Sequence, residues 1–176
     1  LSKIILVLLS QIDFQIIEAL SKSLEKTFYR PIEIKLEPGS LEYAYDTARK
    51  QYKSPLILSR LHRMKKSTGD KIMAITDEDL YSPGYDFIYG EADVRAGVAT
   101  LSVNRLVTEG RDIPPDLSLI IERIIREATH EIGHLFGLGH CRDQKCVMRT
   151  CTCLSEVDEA QGGLCSECYK KLTPKL

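Results

Sequence analysis

Two histidines four residues apart, with a glutamate directly after the first, form the segment His130-Glu131-Ile132-Gly133-His134. On a helix, residues i and i+4 share a face, so both imidazoles project together and can bind one zinc ion at about 2.0–2.1 Å. Glu131 stands one residue on, beside such an ion. There it can hydrogen-bond a zinc-bound water and take its proton during attack on a carbonyl. Gly137 follows three residues after His134 and His140 three after that, giving HEIGHLFGLGH. Glycine permits a sharp turn, so His140 can return to the same ion. Three neutral imidazoles leave a fourth tetrahedral position for water or substrate, which separates a catalytic zinc site from a closed structural one.

All six cysteines lie between Cys141 and Cys168, and the first 129 residues hold none. In a reducing compartment such clustering points toward metal before disulfides, although six cysteines also admit about 15 disulfide pairings. The chain has 176 residues, 43% hydrophobic and 28% charged, with a formal net charge of −1. That describes one globular domain and excludes a disordered or collagen-like chain. From Cys141 to Leu176 six Lys+Arg face five Asp+Glu, a net of +1. The segment therefore lacks the basic stripe that phosphate contacts require, and no nucleic-acid partner is expected. Ile4–Leu9 is the longest apolar run near the start, far short of the roughly 20 residues that span a bilayer. Leu1-Ser2-Lys3 ahead of it does not make a secretory signal, so no membrane association and a cytoplasmic location are expected.

Elements that position these residues can be read from periodicity. Lys3–Leu9 reads as a buried strand. Ile16, Leu20, Leu24 and Phe28, widened by Ile17, read as an amphipathic helix ending before Pro31. Ile32, Ile34 and Leu36 alternate with charged residues as a half-exposed strand closed by Pro38-Gly39-Ser40. A second helical region is expected from Ser40 through Tyr43–Tyr52, then a helix from Ser54-Pro55, with Ser54 as N-cap, to about Lys65. Lys71–Thr76 is the next strand, and Asp77–Asp79 reads as a solvated acidic loop. The order β-α-β-α-β predicts an α/β fold with a largely parallel sheet. Phe87–Tyr89 and Val98–Val103 read as further strands, one antiparallel at the edge of a mixed sheet. Asn104–Pro115, with Gly110 and Pro114, reads as a polar loop. Ile121, Ile125, Ala128, Ile132 and Leu135 then form the stripe of a long helix that carries the histidines and stops at Gly137. His62 reads as a helix-surface residue. Beyond Leu138 little regular structure is expected until the last dozen residues, so the tail needs a staple.

HEIGHLFGLGH together with Met148 resembles the metzincin metallopeptidases, Met148 matching the Met-turn methionine beneath the metal. Cys141 directly after the third histidine, Cys146 two before the methionine and Cys165-Ser166-Glu167-Cys168 narrow the likeness to the archaemetzincins. The resemblance implies a zincin-like (α+β) catalytic domain over 1–176, with an upper subdomain at 1–137 and a Cys-rich lower subdomain at 138–176. It also implies two zinc ions per chain. His130, His134 and His140 would bind the catalytic one, with Glu131 as general base, and Cys141, Cys146, Cys165 and Cys168 the structural one. Cys151 and Cys153 are extra to the family pattern. The likeness also implies that Gly97–Val103 is the edge strand receiving an extended peptide.

These readings point to a monomeric zinc-dependent peptidase acting on a peptide or protein substrate. The alternative is a catalytically silent zinc-stabilised module that binds peptides or proteins.

Overall fold

A computed structural model of the chain describes residues 2–37, 39–108, 116–160 and 163–175. Its first strand, β1 (Ile4–Leu8), is buried along its whole length because both of its faces are covered. Ile4, Leu6 and Leu8 point into one core cluster, while Ile5, Val7 and Leu9 point into another. The continuous apolar run thus reflects two cores on opposite sides of one sheet. Helix α1 (Phe14–Phe28) covers the first face with the expected Ile16, Ile17, Leu20, Leu24 and Phe28. Asp13 caps its N-terminus by accepting from the Gln15 N–H, and Tyr29 ends it in the left-handed region. Full burial of side chains such as Leu20, Leu24 and Phe28 contributes roughly 1.5–3 kcal/mol each.

Strand β2 (Ile32–Leu36) pairs parallel to β1 at the open edge, but Ile34 and Leu36 are exposed there rather than facing the core, while Glu33 and Lys35 are half-buried, with Glu33 paired to Lys3 and Lys35. Its closing Pro38 lies outside the described residues. The helix expected from Ser40 to Tyr52 does not form. In its place are a 3-10 turn at Glu42–Ala44 and two short strands, β3 (Tyr45–Asp46) and β4 (Gln51–Lys53), paired antiparallel. Helix α2 (Ser54–Met64) then covers the second core with Ile57, Leu58 and Leu61. Ser54 is the first helical residue rather than the N-cap, and its hydroxyl shares a hydrogen bond with Thr100 at 2.8 Å. His62 is exposed on α2, as expected.

Strand β5 (Lys71–Thr76) completes the parallel pairing with β1 on its other side, and β6 (Leu80–Tyr81) joins β4 in a small second sheet. The order of the main sheet is β2-β1-β5-β8-β7, where β7 is Gly90–Asp93 and β8 is Val98–Ser102. Strand β7 is antiparallel to β8. The edge strand is therefore 90–93, not 97–103, because β8 is enclosed between β5 and β7. Of the expected strand at Phe87–Tyr89, only Ile88 makes an isolated bridge, to Leu80.

The stretch read as a polar loop begins with helix α3 (Asn104–Thr108); Gly110, Pro114 and Pro115 lie outside the described residues. Asp116 caps the long helix α4 (Leu117–Leu135) through the Leu119 N–H. Its buried stripe runs through Ile124, Ala128, Ile132 and Leu135, with Ile121 and Ile125 only half-buried. The rotation brings Arg123 inside, where Nε and Nη2 each bond the Asp158 carboxylate at 2.7 Å and Nη1 donates to the Leu106 carbonyl. Asp158 belongs to α5 (Leu154–Glu159), a helix not expected from the sequence, and this bidentate pair ties the C-terminal segment to α4. The chain continues through α6 (Ser166–Leu172). No helix among the described residues is long and apolar enough to cross a membrane.

Candidate metal centres and active-site cleft

The last two turns of α4 carry His130, Glu131 and His134, and the end of that helix decides where the third histidine goes. Gly137 adopts φ +79°, its N–H donates to the His134 carbonyl at 2.8 Å, and the Leu138 N–H donates to the Gly133 carbonyl at 3.0 Å. This is a Schellman-type stop, in which glycine accepts the left-handed conformation without a Cβ penalty. The reversal presents the Leu138 carbonyl to His134 Nδ1 at 2.8 Å and returns His140 to the other two rings. Lys175 donates to the Gly137 carbonyl at 3.0 Å from the far end of the chain.

Side-chain nitrogens of His130, His134 and His140 lie within 4.8 Å of one another. His130 Nδ1 donates to the Val147 carbonyl at 2.8 Å, as His134 Nδ1 does to Leu138, so both rings keep an unprotonated Nε2. Those two Nε2 atoms face each other at 2.9 Å. Two lone pairs at that separation repel unless a cation lies between them, so this donor set fits a divalent metal. Burial holds His130 down to about 4 and lowers His134 as well, which favours the neutral rings that bind metals. Met148, fully buried, packs against Gly133 of α4: a Cβ there would meet its sulfur at 2.5 Å.

A second cluster begins one residue after His140. The thiols of Cys141, Cys146, Cys165 and Cys168 also lie within 4.8 Å of one another. Cys141 Sγ and Cys165 Sγ are 3.7 Å apart. A disulfide needs about 2.05 Å, whereas the edge of a tetrahedron with Zn–S near 2.3 Å is about 3.8 Å. The thiols therefore have the spacing of a closed Cys₄ metal site. The Cys168 backbone N–H lowers the Cys165 thiol, while burial raises Cys146 and Cys168. The Cys141 N–H donates to the Met148 carbonyl at 2.8 Å, so one short turn supports both clusters. Cys151 and Cys153 stand outside the four-thiol group: Cys151 is half-buried, its thiol pushed up to about 11 by burial, and Cys153 is exposed.

The histidines and Glu131 open onto a cavity of about 640 Å³. Its walls come from Tyr85–Ala92 and Val94 on one side and from Val147 and Arg149–Thr152 on the other, with Val157 and Ala160 of the tail behind. None of Asp77–Asp79 lines it; Asp79 instead holds Arg105 at 2.7 and 2.8 Å and accepts from Gln51. Three carboxylates not singled out from the sequence do line it, Asp86, Glu91 and Glu127. Glu127 sits one turn before Glu131 on the same helical face, a spacing visible in the sequence. Glu91 reaches the cleft only through the register of β7. Burial, then the charges of Glu127 and Glu91, raise Glu131 well above the ordinary carboxylate range.

Burial also pushes Glu127 up to about 7 from an ordinary 4.5. The folded chain then keeps a proton that the unfolded chain has lost, so stability declines as pH rises through that window and stays lower above it. Glu127→Gln removes the decline. Metal-free protein melted at two pH values is expected to show the variant several degrees more stable at pH 8 and little changed at pH 5. An equal effect at both would show that this carboxyl does not titrate in the window.

Comparison with known proteins extends this geometry. The profile of peptidase family M54 matches residues 9–174. An archaemetzincin of Methanopyrus kandleri is 39% identical over 146 residues, 82% of this chain and 79% of the relative. The crystal structure of an archaemetzincin from the same organism superimposes with a TM-score of 0.86 at 34% identity, covering 99% of this chain and 94% of that one. A zinc-dependent peptidase from Methanocorpusculum labreanum gives a TM-score of 0.85 at 30% identity, covering 96% and 99%.

Proposed function

The chain belongs to peptidase family M54, the archaemetzincins, and is a zinc metallopeptidase; from that premise we propose that Glu131 serves as general base in peptide-bond hydrolysis beside a three-histidine zinc site. His130, His134 and His140 would hold the catalytic zinc, and Cys141, Cys146, Cys165 and Cys168 a second, structural one. The catalytic ion, when bound, acidifies a water to a pKa near 7 and polarises the carbonyl to be attacked. The protein's own contributions are distinct. The Val147 and Leu138 carbonyls fix the tautomer and orientation of two rings. Glu131, only 5% exposed at the cavity wall, accepts a proton and can return it to the leaving amine. The cleft between β7 and the tail has room for a stretch of peptide or protein substrate, with Tyr89, Val147 and Val157 as apolar walls. In this reading the described residues up to 137 would supply the upper part of the cleft and those from 138 on the lower, with Arg123 bonded to Asp158 across the two.

One observation carries the reading: three converging imidazoles, a buried carboxylate one residue from the first, and a single cavity that reaches all four. Metal analysis with a fluorogenic peptide library tests it. Two zinc equivalents per chain are expected, with cleavage lost on chelation and restored by zinc. Two equivalents with no cleavage of any library member would favour a silent peptide-binding module.

A further inference from the structure

Glu131 is buried, yet no hydrogen-bond donor among the described residues holds its carboxylate. Packing therefore decides where it lies, and part of that packing is against a residue without a side chain. Gly90 opens β7 opposite Leu101 of β8. Its φ is not in the left-handed region, so backbone conformation does not require glycine there. Space does. A Cβ at Gly90 would lie 2.7 Å from Glu131 Cγ, 2.9 Å from Glu131 Oε1 and 2.9 Å from the Thr100 carbonyl oxygen, all inside van der Waals contact. The gap is closed on the other side by α4, which packs along both β7 and β8.

We propose that Gly90 is a positioning residue: the bare backbone of the edge strand is the seat of the Glu131 carboxylate, and it sets how far that carboxylate stands from the strand bordering the cleft. The proposal rests on Glu131 acting as the base. One methyl at position 90 presses on both the flexible Glu131 side chain and the Thr100 backbone, and the side chain, the softer of the two, takes the larger displacement. Reacting groups tolerate such movement poorly: a displacement of about 1 Å can lower a rate roughly 10²-fold.

Gly90→Ala is expected to lower kcat about 10- to 100-fold on a fluorogenic peptide, with KM changed less than about threefold and zinc content unaltered. Thermal melting supplies a readout independent of activity, in the zinc-loaded and metal-free protein alike. Gly90→Ala should lower Tm by about 5 °C in the wild-type background. In a Glu131→Ala background, where the clashing Cγ and carboxylate are gone and only the Thr100 carbonyl contact remains, a clear part of that loss should disappear. An equal Tm loss in both backgrounds would place the cost at Thr100 alone and overturn the proposal, as would an unchanged kcat for Gly90→Ala. If the single variant does not fold, recovery of folding in the double variant supports the proposal, and failure of both overturns it. Full activity of Glu131→Gln would sink the base assignment while leaving the melting result to decide the packing claim.

Discussion

Glu131→Gln is expected to lower peptide hydrolysis by about 10³-fold or more while leaving both zinc equivalents in place. Glutamine keeps the volume of the side chain against Gly90 and the helix, so the fold and the cavity should persist. It does not alter the nitrogen set, because the three imidazoles converge without Glu131. What it removes is a group that can take and return a proton. The general acid–base contribution alone is typically 10²–10⁴-fold, and here it falls on attack and on departure of the amine. Cleavage rates and metal content measured side by side separate this from metal loss. Equal cleavage by wild type and variant would show that another group, of which Glu127 is the nearest by helical spacing, moves the proton.

Cys165→Ser is expected to remove one zinc equivalent and lower Tm by more than about 10 °C. Cys165 precedes α6, and its thiol is lowered by the Cys168 N–H, so it is ready to bind as thiolate. Serine preserves the size but not the soft anionic donor. Structural zinc sites of peptides have apparent binding energies of about 10–16 kcal/mol, comparable to the roughly 5–15 kcal/mol stability of a whole domain. The tail's buried apolar residues, Leu138, Val147, Met148, Leu154, Val157, Ala160 and Leu172 with Cys146 and Cys168 of the thiol cluster, are spread along short elements that pack against the rest. Losing the ion should therefore loosen the turn that supplies the Val147 carbonyl to His130, so weaker binding at the histidine site should follow. Cys153→Ser, outside the four-thiol cluster, should leave metal content and Tm unchanged. A full zinc complement in Cys165→Ser would mean that different cysteines hold the ion.

Much of the frame was legible because strong periodicity leaves little ambiguity. The apolar run at Ile4–Leu8 and the stripe Ile16-Leu20-Leu24-Phe28 are found where the pattern puts them. Over Ser40–Tyr52 the helical pattern misleads because strands of two and three residues carry no period, and the pairing of β4 is decided by distant Leu80–Tyr81. Helix α5 is also short, at six residues, and it is held by Asp158 on Arg123 rather than by a long stripe of its own. Arginine in an apolar helix face reads as a solvated position until its partner, 35 residues away, is known.

By itself the sequence determined the chemistry available: donor types, their spacing along one helix, a glycine stop, and thiols placed directly after the third histidine. Those properties are local, set by 3.6 residues per turn and by backbone sterics. Only the tertiary structure decided which strand borders the cleft, that Glu91 and Glu127 face it, that four of the six thiols converge while Cys151 and Cys153 do not, and that the Glu131 carboxylate rests on Gly90. Each of these depends on strand register and on contacts between residues far apart in the chain. Such contacts leave no periodic trace, because the position of each partner is settled by packing both cores at once.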